Sequence, residues 1–323
     1  MADDLTGALD SAARFVPLVG PVPVFWRGEP SPGTAAFDAG TREMGCDAAA
    51  STVTALLPFL SGADIAFKKI DSLMRGHVAG ELAACRAAFD HVVLAPAFPF
   101  QGRITRGSRQ LTLSPEGWRD VGFDFAGLGV QDAETEADLD RIVGKGRLLQ
   151  GRILWCGTGG LAGALAGRRR VPRPALSRPV LALVGSHHPV SARQVSAAAE
   201  WHHLLPRPLP ALNSRGHVVS VSVPAGTPRT QARAVIIEAF AGLLGGVQRP
   251  GTLFVSGGET LRGLCGVLQV DRLVVDGELE PGVPTSVMRG GKWDGQRVVS
   301  KSGAFGDTQF LAALLRCVDS RQD

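Results

Sequence analysis

The sequence predicts an α/β protein of two domains, each a mostly parallel sheet flanked by helices. Three observations lead there. Short apolar runs bounded by turn residues alternate with longer segments of helical spacing, the pattern of strands and helices in turn. The 323 residues suit two domains at roughly 100–200 residues each. A Pro/Arg-rich stretch at Gly167–Pro179 has no periodicity, and its three prolines exclude a helix. The expected organisation is therefore a first domain over 1–167, a linker over 168–179 and a second domain over 180–323.

Taken in order, the apolar runs place strands at Val22–Trp26, His91–Ala95 and Arg152–Cys156 in the first half. In the second half they fall at Val180–Gly185, His217–Val223, Gly251–Ser256 and Arg272–Asp276. Helical spacing covers Gly7–Phe15, Asp47–Leu57, Val78–Phe89, Glu134–Val143 and Leu161–Gly167, then Ser191–Leu204, Thr230–Leu244, Thr260–Val270 and Thr308–Cys317. A strand normally precedes a turn such as Asp3-Asp4-Leu5-Thr6, and here the chain starts without one: that strand is absent or encoded upstream.

Composition excludes several classes of function. Apolar residues make up 45% and charged residues 20%, enough for buried cores and unlike a disordered chain. The net charge of +4 includes no block of five like charges, which argues against a nucleic-acid or polybasic membrane surface. No apolar run approaches the ~18–20 residues of a membrane helix, and Met1-Ala2-Asp3-Asp4 lacks the positive start of a secretory signal. Five scattered cysteines without a C-x-x-C pair point to a reducing, cytoplasmic home. No H-E-x-x-H or clustered Cys/His set suggests a protein-held metal, and no G-x-S-x-G elbow suggests that type of hydrolase.

Four polar segments stand out. Asp3, Asp4 and Thr6 lead straight into a helix, where side-chain oxygens and free N–H groups can meet a polar ligand. Lys68, Lys69, Asp71, Ser72 and Arg75 surround a turn; Arg forks onto carboxylates while Lys and Asp meet hydroxyls. Ser256-Gly257-Gly258-Glu259-Thr260 is a glycine-rich turn that opens a helix, a backbone arrangement that can approach phosphate. Lys301–Asp307 is a further small-residue turn, and Gly185-Ser186 follows the first strand of the second half. In a chain that uses Arg almost everywhere, four of five lysines, at 68, 69, 292 and 301, lie beside such turns. Gly157-Thr158-Gly159-Gly160-Leu161-Ala162 also fits a dinucleotide fingerprint, but no acid follows ~20 residues on.

In this order, A-D-D-L-T-G-A at 2–8, K-K-I-D-S-x-x-R-G at 68–76, A-P-A-F-P at 95–99, G-T-G-G-L-A at 157–162, S-G-G-E-T at 256–260, P-G-V-P at 281–284 and K-S-G-A-F-G-D at 301–307 resemble the four-carbon acid sugar kinase family. The resemblance runs nearly end to end. It implies an ATP-dependent kinase that phosphorylates the terminal hydroxyl of threonate, erythronate or 3-oxo-tetronate, with Mg²⁺ and ATP as cofactors. The first domain would hold the sugar acid through Asp3, Thr6, Lys69, Ser72 and Arg75, with Asp4 or Asp71 orienting or deprotonating the attacking hydroxyl. ATP would contact Ser186, Gly257, Gly258, Glu259, Thr260, Gly303 and Gly306; metal ligands are not assigned. The partners implied are the small acid and ATP, without nucleic acid or membrane, and association into a homo-oligomer is common among enzymes of this kind.

The chain departs from the family pattern in S-L-M-R-G for S-T-L-R-G, in G-A-F-G for G-G-F-G, in the missing first strand and in a compressed stretch between Gly107 and Asp132. Two other readings stand beside the kinase. One is a non-catalytic descendant that binds nucleotide or sugar acid. The other is an NADP-dependent oxidoreductase built on Gly157–Ala162 with Arg168–Arg170.

Overall fold

The computed structural model describes residues 1–28, 33–207, 209–212 and 215–320. It divides into two compact units, Met1–Pro172 and Arg173–Asp323, each α/β. The first unit runs α1 (Leu5–Val19), β1 (Val22–Phe25), β2 (Ala36–Phe37), α2 (Cys46–Ser61), β3 (Ala66–Lys69), α3 (Val78–Arg86) and β4 (His91–Ala95). It continues with β5 (Arg103–Arg106), β6 (Arg109–Ser114), β7 (Gly117–Asp120), α4 (Glu136–Gly146), β8 (Ile153–Gly157) and α5 (Gly159–Leu165).

Strands β3, β8 and β4 form a parallel sheet with β8 in the middle, and successive residues of β8 face opposite sides. Leu154 and Cys156 pack with Val53, Leu82 and Ile70 under α2 and α3. Trp155 packs with Leu139, Leu161 and Phe67 under α4 and α5. The chain start fills the strand position that the sequence leaves open: Ala2 bridges Lys69 on one side and Asp38 on the other, both in parallel. Its N–H donates to Phe37 O at 2.8 Å, and Met1 O accepts from Lys69 N at 2.8 Å. β6 and β7, within the stretch that reads as compressed, form a separate antiparallel sheet with β5 just before it.

β3 is absent from the sequence expectations because A-F-K-K reads as a charged turn. All four residues are nevertheless buried. The Lys68 ammonium lies 2.5 Å from Glu81 Oε2 of α3, and both side chains are shut off from solvent. A charge enters a sheet when a partner on the covering helix meets it. Burial works against this ammonium, yet Glu81 and Asp3 hold its pKa above the ordinary lysine value.

The second unit comprises β9 (Val180–Val184), α6 (Pro189–Ala197), β10 (His202–Leu205), β11 (His217–Val221), α7 (Arg229–Gly246), β12 (Thr252–Ser256), α8 (Gly258–Val267), β13 (Arg272–Glu280), β14 (Val283–Arg289), β15 (Arg297–Lys301) and α9 (Phe310–Asp319). Its strands run β10-β11-β9-β12-β15-β14-β13; the first five are mutually parallel, and β14 is antiparallel to both its neighbours. Phe254, Ala182 and Val299 from three adjacent strands pack with Leu311 and Leu315 of α9 and with Trp201. Complete burial of a side chain the size of Phe254 contributes about 2–3 kcal/mol.

Two expected elements change here. The helix expected over Ser191–Leu204 stops at Ala197, and His202–Leu205 joins the sheet as β10, parallel to β11, with His202 meeting Ser220 and His203 meeting His217. The strand expected over Arg272–Asp276 extends to Glu280 and turns back through Pro281-Gly282 into β14. Gly282 sits at φ 87°, a conformation that favours glycine and allows this tight return.

Candidate active site

In the first unit the polar segments of the sequence converge on one guanidinium. Asp4 caps α1: its Oδ1 accepts from Gly7 N at 2.8 Å and its Oδ2 from Thr6 Oγ1 at 2.8 Å. Arg42, in the segment before α2, grips Asp3 through Nε–Oδ2 at 2.8 Å and Nη2–Oδ1 at 3.0 Å. Its Nη1 donates to Asp4 Oδ2, and its Nη2 lies 3.7 Å from Asp71 Oδ1. Burial works against the charge on Arg42, but Asp4, Asp3 and Asp71 together hold its pKa above the ordinary arginine value.

Asp71 follows β3 and opens the turn that carries Ser72 and Arg75. Arg75 returns over it, Nε to Oδ2 and Nη2 to Oδ1, each at 2.8 Å, while Leu73 N and Arg75 N also donate to Oδ2. Burial alone would raise the Asp71 pKa; the hydrogen bonds from Arg75 and the charges of Arg42, Arg75 and Lys69 overcome it and hold the carboxyl far below the usual range. Gly76 closes the turn at φ 87°, and a Cβ there would lie 3.5 Å from Asp3 Oδ2.

The other expected residues divide. Lys69 is buried and spends one donor on Ile70 O at 2.9 Å, with Nζ 3.4 Å from where a Cβ on Gly7 would stand. Ser72 is buried, and its carbonyl accepts from Gln110 Nε2 of β6 at 3.0 Å. Arg75 is half exposed, so its remaining donors are accessible. Asp3, Asp4, Thr6, Asp71 and Arg75 are thus joined in one network, with Lys69 beside it and Ser72 beneath it.

Arg42 is the residue that sequence reasoning missed. It stands in a short T-R-E segment with no motif around it, 38 residues from Asp4. The available signal was charge balance: two adjacent acids at a helix start call for a cation, and none is near them in the chain.

In the second unit the turns after β9, β12 and β15 meet, because these three strands are neighbours and end at the same level: Ser256 pairs with Val184 on one side and Lys301 on the other. A Cβ on Gly303 would fall 1.8 Å from Ser186 Oγ, and one on Gly185 would fall 2.1 Å from Thr260 Oγ1. Gly257, at φ 114°, is the N-cap of α8 and has no side chain to occupy the N–H groups of the first turn. Those donors and the helix dipole suit an anion. α6 secures the turn after β15: Ser191 Oγ donates to Gly303 O at 2.9 Å, and Gln194 Nε2 to Phe305 O and Asp307 O at 3.1 and 2.8 Å. Gly306 sits at φ 79° within that turn. Glu259 is committed differently, to an ion pair with Arg233 of α7.

Gly157–Ala162 is not a dinucleotide turn. Every residue of α5 is buried, and Thr158 Oγ1 donates to Ala97 O at 2.6 Å. A Cβ on Gly159 would lie 2.8 Å from Asp10 Oδ2, and one on Gly160 would lie 2.8 Å from Ala97 O. These glycines allow α5 to pack against α1 and the strand ends, which leaves a pyrophosphate no approach. The oxidoreductase reading is removed with them.

The chain thus has the form of a two-domain α/β protein with a carboxylate–guanidinium centre in one unit and an anion-suited set of turns in the other. Residues 1–121 match the model of a sugar-binding N-terminal domain and residues 219–311 that of a nucleotide-binding C-terminal domain. A D-threonate kinase of Cupriavidus necator is 28% identical over 402 aligned positions, covering 96% of this chain and 95% of that protein. A D-threonate kinase of Bordetella bronchiseptica is 26% identical over 404 positions, covering 100% and 97%. A crystal structure from Salmonella typhimurium LT2, of a protein provisionally termed a tRNA synthase, has the same fold at a TM-score of 0.74 and 19% identity, covering 98% of each chain. The chain belongs to the four-carbon acid sugar kinase family. Against 402 aligned positions its 323 residues leave at least 79 positions of the Cupriavidus kinase without a counterpart, so it is a shortened member.

Among the described residues no group of three or more His, Cys, Asp or Glu is placed to hold a metal ion. Among the described residues no helix is long and apolar enough to cross a membrane.

Proposed function

We propose that the protein is an ATP-dependent kinase that phosphorylates the terminal hydroxyl of a four-carbon sugar acid, with threonate the first candidate and erythronate and 3-oxo-tetronate the others. The observation that carries this reading is the coincidence of each polar centre with the domain type its unit resembles. The Arg42–Asp3–Asp4–Asp71 network lies in the sugar-binding match, and the glycine turn Gly257–Thr260 with Gly303 and Gly306 lies in the nucleotide-binding match.

In this mechanism Arg75 presents its outer donors to the substrate carboxylate, and Lys69 and Thr6 meet hydroxyls. Asp71, with both oxygens held by Arg75, orients the acceptor and is a weak base, because its arginine partners stabilise the ionised form. Uptake of the hydroxyl proton falls to Asp4, which shares only Oδ2 with a guanidinium where Asp71 has both oxygens held, and which keeps a solvent-accessible edge at the start of α1. Ser186, the open N–H groups of α8 and the turn at Gly303 would receive the phosphates of ATP. Mg²⁺ would be held chiefly by those phosphates and would supply charge neutralisation there, since among the described residues no group of three or more His, Cys, Asp or Glu offers it a cage. Phosphoryl transfer requires chiefly positioning and charge neutralisation, which the two centres can supply.

The test is ADP release from purified protein with MgATP across D- and L-threonate, erythronate and 3-oxo-tetronate acids. Turnover on one acid, lost in Asp71→Asn, supports the kinase. ATP binding without turnover on any acid favours the non-catalytic descendant, the alternative that the shortening of the chain keeps open.

A further inference from the structure

Three lysines are buried in strands of this protein: Lys69 stands among the carboxylates of the first unit, and the other two, Lys68 and Lys301, differ in one respect. Lys68 meets Glu81 Oε2 at 2.5 Å. Lys301, the last residue of β15 and only 1% exposed, has no carboxylate within ion-pairing distance among the described residues; its Nζ donates to Ser302 O at 3.2 Å. Glu280 at the end of β13 faces it from further off, and Asp307, ahead of α9, and Arg173, ahead of β9, complete the charged groups around that carboxylate. Burial pushes the Lys301 ammonium down to about 8, with Glu280 opposing only in part.

A buried ammonium without a counter-ion is costly and persists where something else calls for it. The position of Lys301 supplies the reason. Its carbonyl accepts from Gly257 N at 3.0 Å, so it is tied to the turn that opens α8, and Ser302 and Gly303 follow it into the turn against Ser186. An anion seated on these turns would supply the missing counter-charge.

We propose that Lys301 is kept unpaired for the phosphates of the nucleotide, and that nucleotide binding is coupled to uptake of one proton from solvent by its Nζ. This rests on assigning the turns of the second unit to ATP. The balance is simple: the neutral amine present in part of the free population accepts a proton, and the resulting ammonium faces the phosphate anion. Lysine is suited to this as a compact charge with a movable pKa, whereas arginine stays protonated throughout.

The experiment is calorimetric titration of the full-length protein with MgATP, without acid acceptor, in buffers of differing ionisation enthalpy. At pH 8 the expected uptake is about half a proton per nucleotide bound, falling towards zero at pH 6.5, where the amine is already charged. Lys301→Arg is expected to bind MgATP without any uptake. Lys301→Met is expected to bind at least tenfold more weakly while melting no lower than the parent, since a buried charge has been removed. The wild-type measurement stands even if Lys301→Arg does not fold. Wild-type binding with no proton uptake at pH 8 overturns the proposal and leaves the nucleotide site intact. Absence of any MgATP binding overturns the assignment of the turns, and the proposal with it.

Discussion

Asp71 and Arg75 are joined by two parallel hydrogen bonds, Nε to Oδ2 and Nη2 to Oδ1, each 2.8 Å long, across a single turn of chain. Bidentate pairing of this kind fixes both side chains in one geometry, and here it orients a carboxylate at the end of a buried strand. The same carboxylate faces Arg42 at 3.7 Å, so it stands between two guanidinium groups.

This arrangement sets a pH dependence. The folded-state pKa of Asp71 is depressed, so its contribution to stability is fully present above the unfolded value of about 3.9 and is lost as the pH falls below it. Asp71→Asn is expected to lower stability at pH 7 by about 2 kcal/mol and to flatten the further loss on acidification below pH 4, as read by urea denaturation across that range. Its effect on turnover is expected to be a fall of at least about 100-fold. An acid-unfolding profile identical to that of the parent would contradict the assignment.

Arg42 holds three carboxylates, and its removal leaves Asp3 and Asp4 without their cation. Arg42→Met is expected to destabilise the first unit by about 3 kcal/mol, with loss of sugar-acid binding and retention of nucleotide binding. Arg42→Lys is expected to restore little, because an ammonium cannot reproduce the forked grip on Asp3. Recovery of full activity in Arg42→Lys would show that charge alone suffices.

The Lys68–Glu81 pair is structural, and its members are expected to be strongly non-additive. Lys68→Met and Glu81→Leu singly leave an uncompensated buried charge and are expected to cost about 3–5 kcal/mol each. The double variant is expected to lie within about 1 kcal/mol of the parent by chemical denaturation. Additive losses would mean that the pair does not act as a unit.

In the second unit, Gly303→Ala would press a Cβ to within 1.8 Å of Ser186 Oγ. Nucleotide affinity is expected to fall at least tenfold, with sugar-acid binding unchanged. Adding Ser186→Gly removes the obstructing atoms and is expected to recover part of the loss. Calorimetric titration of both variants with MgATP checks this, and unaltered affinity in Gly303→Ala would remove the turn from the nucleotide site.

The sheet strands of uniform apolar character were legible in advance. β4, β8, β9 and β12 fall within a residue or so of where V-V-L-A, I-L-W-C, V-L-A-L-V and T-L-F-V place them, because residues buried on both faces must be apolar throughout. β3 and β10 were not legible. Lys68 and Lys69 disguise one and His202-His203 the other, since polar residues within a strand are tolerated only through partners remote in sequence: Glu81 for Lys68, Ser220 for His202 and His217 for His203. For the candidate site, the Asp, Lys and Arg types and the glycine turns could be read locally, whereas Arg42 could not.

The sequence by itself determined the alternation of strands and helices, the glycine turns that follow strands, and the residue types clustered around Asp4 and Asp71. These are local properties, set by burial, periodicity and backbone freedom over a few residues. Tertiary structure alone decided which charges remote in sequence are paired. It brought Arg42 across 39 residues to Asp3, matched Lys68 with Glu81, left Lys301 without a carboxylate, and turned Gly157–Ala162 from a ligand fingerprint into a packing contact. Coulomb attraction, desolvation and steric approach depend on distances through space, and the order of residues along the chain does not contain those distances.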